Sequence, residues 1–246
     1  GIGFNEDNLE SFETSDSRLK YERGGKGVGR FIWIKTFDSI KVDSVTKNGR
    51  AKQRVRFRFM PEKPNSIAYK RVTEARGEDY QTTVVLSELQ TSQKGQIRTS
   101  SYLKDLCLHF FPQYIMGNLP EITVEHNGEE ESLNEYMKDR AGKVEAKRVT
   151  IEIDGQDQIF HFQHLYVDPT MPPGLKNSYM LTGHGRLVGD PISIASKFDL
   201  TSLENGKAYA LVVSSTYLDE RVDQERLSFR LPNKAKKLIE KAVMKA

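Results

Sequence analysis

Residues 24–37 read Gly24-Gly25-Lys26-Gly27-Val28-Gly29-Arg30-Phe31-Ile32-Trp33-Ile34-Lys35-Thr36-Phe37, a glycine-rich run that passes directly into an apolar one. Glycine reaches positive φ without steric cost and lets a bound group approach the backbone closely. Successive amide N–H groups in such a loop form a nest for anions, and a helix that follows adds the positive end of its dipole. Lys26 and Arg30 carry charge of the matching sign. The apolar run at 31–37 fits a buried helix or a strand by its periodicity, and the glycines in front of it favour a helix. The loop is no Walker A motif, because no Gly-Lys-Ser/Thr ending is present, and no strand precedes it as a dinucleotide fingerprint requires. A plain surface loop is the competing reading, and this stretch alone does not separate the two.

Upstream stands a second glycine pair, Gly1-Ile2-Gly3-Phe4, then an acidic helix-like stretch at 6–12, then Ser15 and Ser17. Taken with the glycine loop, this order resembles the GHKL superfamily of gyrase, the heat-shock-ninety chaperones, sensor histidine kinases and MutL. Its members carry an Asp-x-Gly-x-Gly motif followed by a lid that ends in Gly-x-Gly-x-Gly. Gly1 and Gly3 match the glycines of the first motif. Gly25, Gly27 and Gly29 match the lid, which Gly24 extends and Lys26, Val28 and Arg30 complete. The wording of both segments is most similar to the chaperone and Morc-type branch. In Gln81-Thr82-Thr83-Val84-Val85-Leu86, Thr82 occupies the place of the family threonine whose hydroxyl serves the adenine end of the pocket, and Gln81 stands where the family has glycine.

The resemblance implies an α+β chain. Residues 1–140 would be part of a Bergerat-type ATP-binding sandwich, an antiparallel mixed sheet with helices on one face. Residues 148–246 would form a transducer-like α+β domain. It also implies that a general-base carboxylate, an Asn for Mg²⁺ and the adenine-binding Asp precede Gly1. The chain is therefore expected to lack catalytic and metal-binding residues of its own and to be inactive alone. Its intact parent would bind ATP and Mg²⁺, dimerise, and act as an ATP-gated switch on a protein client or partner. A non-catalytic scaffold that keeps the fold is the alternative reading, and a histidine-kinase-like domain is another. The transducer of this family supplies a basic residue to the γ-phosphate, for which Arg186 and Lys176 are candidates.

The composition bounds these readings. The 246 residues hold 37 Lys+Arg against 34 Asp+Glu, a net charge of +3, which argues against a dedicated nucleic-acid binder. A basic tail (Lys234, Lys236, Lys237, Lys241, Lys245) leaves nucleic-acid contact open, but a solvated helix face is the favoured reading. No apolar run is long enough to span a bilayer. The lone Cys107 excludes an internal disulfide framework and fits a reducing, cytosolic setting.

Periodicity supplies the remaining elements. Strands are expected at 39–45, 53–60, 66–72 and 80–86, forming an antiparallel meander. Val55, Phe57 and Phe59 would point inward, and Arg54, Arg56 and Arg58 would form a solvated outer row. A helix is expected from Ser100 or Ser101 to about Met116, with Cys107 on its apolar face, then a strand ending at an Asn127-Gly128 turn. The charged stretch 139–147 marks the expected domain boundary. Beyond it come a hairpin around Asp154-Gly155, a proline loop at 169–174, strands at 178–182 and 208–214, and an amphipathic helix from 233. His161 and His164 would face opposite sides of a strand and share no metal. His184, in a glycine-flanked turn, is the one histidine singled out for test. The charged stretch 218–226 reads as a salt-bridged surface helix or loop.

Overall fold

A computed structural model describes residues 2–14, 30–49, 51–60, 66–93, 102–198, 206–223 and 227–245. The chain forms two compact units, Gly1–Arg98 and Thr99–Ala246.

In the first unit, helix α1 (Glu6–Glu13) starts where Asn5 Oδ1 accepts the Asn8 backbone N–H at 2.9 Å. Glu6 and Asp7 sit in its first turn, where the helix dipole favours negative charge. Helix α2 (Arg30–Thr36) forms in the apolar run as expected, although Ile32 is exposed. Strands β1 (Phe37–Asn48), β2 (Ala51–Phe59), β3 (Ile67–Glu74) and β4 (Thr82–Leu89) make one antiparallel sheet in the order β3-β2-β1-β4. Gly49, at φ +58°, turns β1 into β2. The first three strands run as the expected meander. The fourth does not extend it: β4 crosses over and pairs with β1, placing Thr82 opposite Ser44 and Val84 opposite Val42. Alternation fixes the faces. Val42, Val55 and Phe57 point inward onto Leu9, Phe4 and Phe12, so the helical segment covers that face of the sheet.

The second unit is built on a six-stranded sheet. Strands β7 (Glu145–Ile153) and β8 (Gln156–Val167) form a hairpin closed by Asp154 at φ +52° and Gly155 at φ +76°. That pair of left-handed residues is what a two-residue hairpin turn matched to strand twist requires. Strand β12 (Ala208–Ser214) pairs antiparallel with β8 and parallel with β9 (Ser178–Gly183). Two short strands, β10 (Arg186–Leu187) and β11 (Ile192–Ser193), both pair with β9.

Both faces of this sheet are covered, and β12 reads as a near-continuous apolar run for that reason. On one side α3 (Tyr102–Ile115) and α4 (Leu133–Lys138) bring Cys107, Phe111, Leu133 and Met137 against Leu165, Met180, Ala210 and Val212. On the other, α5 (Thr216–Asp219) and α6 (Asn233–Val243) bring Leu218, Ile239 and Val243 against Phe160, Phe162, Leu211 and Val213. A small hairpin of β5 (Thr123–His126) and β6 (Glu129–Ser132) joins α3 to α4.

By their contacts the units divide as Gly1–Arg98 and Thr99–Ala246, while the sequence expectation sets a boundary at 139–147. The physical reason is the apolar face of α3, which is buried on the second sheet. The architecture is mixed α+β in both units. Among the described residues, no helix is long and apolar enough to cross a membrane.

Candidate functional site

The inward positions of β1 are Ile40, Val42, Ser44 and Thr46, and all four are buried. A buried hydroxyl without a partner is costly, so the last two must be satisfied locally. Thr46 Oγ1 donates to the Ile2 carbonyl at 2.6 Å. Ser44 Oγ accepts the Phe4 backbone N–H at 3.1 Å and shares a 2.7 Å hydrogen bond with Thr82 Oγ1. Two hydroxyls on one strand thus grip the backbone of residues 2–4.

Gly3 sits between these anchors. It adopts φ +70°, and a Cβ there would lie 2.7 Å from Ser44 Oγ, 3.0 Å from Thr46 Cβ and 3.1 Å from the Val45 carbonyl oxygen. Conformation and contact both exclude a side chain. Its carbonyl accepts from Asn8 Nδ2 at 2.6 Å, which ties the glycine segment to the first turn of α1.

The result is a polar relay from Phe4 N–H through Ser44 Oγ to Thr82 Oγ1, and Thr82 itself is exposed at the start of β4. A hydroxyl fixed from behind in this way presents its remaining donor or acceptor capacity outward. Such a neutral, directional group suits the edge of a heterocycle better than a phosphate.

Arg30 lies at the opposite end of the aromatic cluster formed by Phe4, Phe12 and Phe57. It is only 9% exposed. Its Nη2 donates to the Thr14 carbonyl at 2.7 Å, and its guanidinium carbon sits 5.4 Å from the Phe12 ring centroid and 5.0 Å from that of Phe31. Thr14 and Arg30, the described residues on either side of 15–29, are therefore fastened to one another. Gly1, Gly25, Lys26, Gly27, Val28 and Gly29 fall outside the described residues. Of the residues expected at a nucleotide site, the structure brings Gly3 and Thr82 together through Ser44.

Sequence reading missed Ser44, Thr46 and Asn8. A signal was present, because two hydroxyl residues continue the inward register of Ile40 and Val42 where apolar residues belong.

The other candidates lie in the second unit. Lys176 Nζ donates to the Pro169 carbonyl at 3.0 Å, and Arg186 is exposed on β10. His184, at φ +50°, donates its backbone N–H to Asp219 Oδ1. His161 is exposed on β8, while His164 Nδ1 meets Tyr209 Oη at 2.5 Å. Burial pushes the Tyr209 hydroxyl up to about 12 and lowers His164. Within 218–226, Arg221 Nη1 pairs with Glu220 at 3.2 Å, and residues 224–226 fall outside the described residues. Among the described residues, no three His, Cys, Asp or Glu side chains converge as metal ligands.

No family model matches the chain, and no curated protein matches it. Among solved structures it is similar to the ATPase region of Saccharomyces cerevisiae topoisomerase II, at 12% identity and a TM-score of 0.43, over 99% of this chain and 73% of that one. The same region bound to ICRF-187 (dexrazoxane) is similar at 11% identity with the same coverage and a TM-score of 0.43.

Proposed function

We propose that residues 1–98 form part of an ATP-binding site of GHKL type, with the adenine end at Gly3, Ser44 and Thr82 and the phosphate end at the glycine loop. One observation carries this reading: the Ser44 hydroxyl links the backbone after Gly3 to Thr82, residues far apart in sequence that the resemblance assigns to one end of one pocket. Thr82 would address the adenine edge. Gly3 would keep the backbone close to the sheet so that the base has room. The amides of Gly25, Gly27 and Gly29 would donate to phosphate oxygens, with Lys26 adding charge, and Arg30 would anchor the loop's end to Thr14. Gly1 would belong to the same first motif as Gly3.

The hydroxyl and backbone groups gathered at Gly3, Ser44 and Thr82 do not suit Mg²⁺, which prefers carboxylate and water oxygens, so in this proposal the ion's ligand and the general base are not among them. Bound Mg²⁺ would neutralise phosphate charge. Loop closure over the phosphates would favour association of two ATP domains, giving a switch that a second unit of transducer type relays to a protein partner.

The test is a Gly27→Val substitution in the full-length protein. Fluorescent ATP-analogue binding should be lost while the thermal transition of the protein is kept. Unchanged affinity would remove the loop from the site.

A further inference from the structure

The outer face of the four-stranded sheet carries an unfavourable arrangement of charge. Directly opposed across the strands are Lys41 and Arg58, Lys47 and Lys52, and Arg56 and Arg71. Like charges at such positions destabilise a sheet. The described neighbours offset only part of this. Asp43 takes Arg54 at 2.7 Å and Arg56 at 2.8 Å, and Glu78 takes Arg54 at 3.0 Å. No described acid pairs with Lys41, Arg58 or Arg71. The chain's net charge of +3 thus conceals a local cationic surface.

A second feature lies on the same face. Pairing shifts between Arg56 and Arg58, so that Tyr69 and Lys70 both oppose Phe57 in a β-bulge. Bulges re-aim side chains. Here Tyr69 adopts φ +54°, an uncommon conformation for a bulky residue, and stands 70% exposed. The Arg58 guanidinium carbon is 5.6 Å from its ring centroid. Lys41, Arg56, Arg58, Tyr69 and Val85, together with the Asp43 carboxylate that pairs with Arg56, line a shallow depression of about 350 Å³.

We propose that this face binds single-stranded nucleic acid, holding phosphates with Lys41, Arg56, Arg58 and Arg71 and stacking a base on Tyr69. Arginines two residues apart on a strand recur every ~6.8 Å, a spacing comparable with that of successive phosphates on an extended strand. An exposed ring beside cations is the combination that unstacked bases use. This site lies on the face of the sheet opposite Ser44 and Thr82, and it does not depend on the ATP reading.

The test is fluorescence anisotropy of a labelled oligothymidylate about 20 nucleotides long, titrated with the full chain at several salt concentrations. Four phosphate contacts predict a log–log salt slope near −3. The double variant Arg56→Gln/Arg58→Gln should lower affinity at least about tenfold and flatten the slope by about 1.4. Tyr69→Leu should lower affinity about fivefold or more with the slope unchanged. Arg58→Gln should leave the melting temperature unchanged or raise it, because it removes a repulsive pair. The control Lys236→Gln/Lys237→Gln, on α6, should bind as the unaltered chain does. Absence of binding, equal competition by polyglutamate, an unchanged double variant, no effect at Tyr69, or a loss confined to the α6 control would each overturn the proposal.

Discussion

Arg30 Nη2 donates to the Thr14 carbonyl at 2.7 Å, so the residue that ends the glycine loop is fixed to the residue that ends α1. A guanidinium suits this position, since it can donate to the carbonyl while its plane rests near the Phe12 and Phe31 rings. Arg30→Ala removes a charge-assisted hydrogen bond and these ring contacts at a buried position, and should cost about 1–3 kcal/mol of stability. Urea unfolding followed by Trp33 fluorescence reads this directly. Arg30→Lys should recover only part of the loss, because an ammonium lacks the planar fork.

Gly3 should tolerate no side chain. Gly3→Ala imposes about 1–2 kcal/mol for the left-handed backbone alone. The added Cβ also presses on Ser44 Oγ at 2.7 Å, so the measured loss should exceed that figure. Gly49→Ala is the matched control: it is also at positive φ, but a Cβ there meets nothing within 4 Å, so it should show the backbone cost alone.

Much of the first unit was legible because it rests on period-two alternation, which survives any topology. Val55, Phe57 and Phe59 had to point inward wherever β2 lay. The position of β4 was not legible. Thr82–Leu89 could add to either free edge of the three-stranded meander, and alternation does not say which. The division of the units was hidden for a similar reason, since the apolar face of α3 shows that it packs without saying on which sheet. Ser44 and Thr46 escaped notice because strand hydroxyls ordinarily face water. Only the contact with Ile2, Phe4 and Thr82 explains why they face inward.

Cys107 should behave as a core residue. It is fully buried on α3, and burial pushes its thiol up to about 12. The thiolate is the reactive species, so the native protein should not react with a thiol reagent near pH 8 over hours. One thiol should titrate promptly once the chain is unfolded in guanidinium. Prompt reaction of the native protein would place the helix elsewhere.

Asp43 should contribute to acid sensitivity. The hydrogen bond from Arg54 does most to hold its carboxyl below the usual carboxylate range, against the opposing effect of burial, and the hydrogen bond from Arg56 adds a lesser share. The folded-state value is the lower one, so the stabilisation is fully present above the unfolded value of about 3.9 and is lost as pH falls through the folded value. Stability measured between pH 7 and pH 2 should fall on the acid side, and Asp43→Asn should reduce that fall while lowering stability at neutral pH. Identical acid limbs in the two proteins would contradict the assignment.

The central claim is that Thr82, fixed from behind by Ser44, serves the adenine end of an ATP site. Isothermal titration of ATP–Mg²⁺ into the full-length protein and its Thr82→Val and Thr82→Ser variants tests it most directly. Loss of one well-oriented hydroxyl should weaken binding by about tenfold in the valine variant, while serine should restore most of the affinity. Equal affinity in all three proteins would contradict the account.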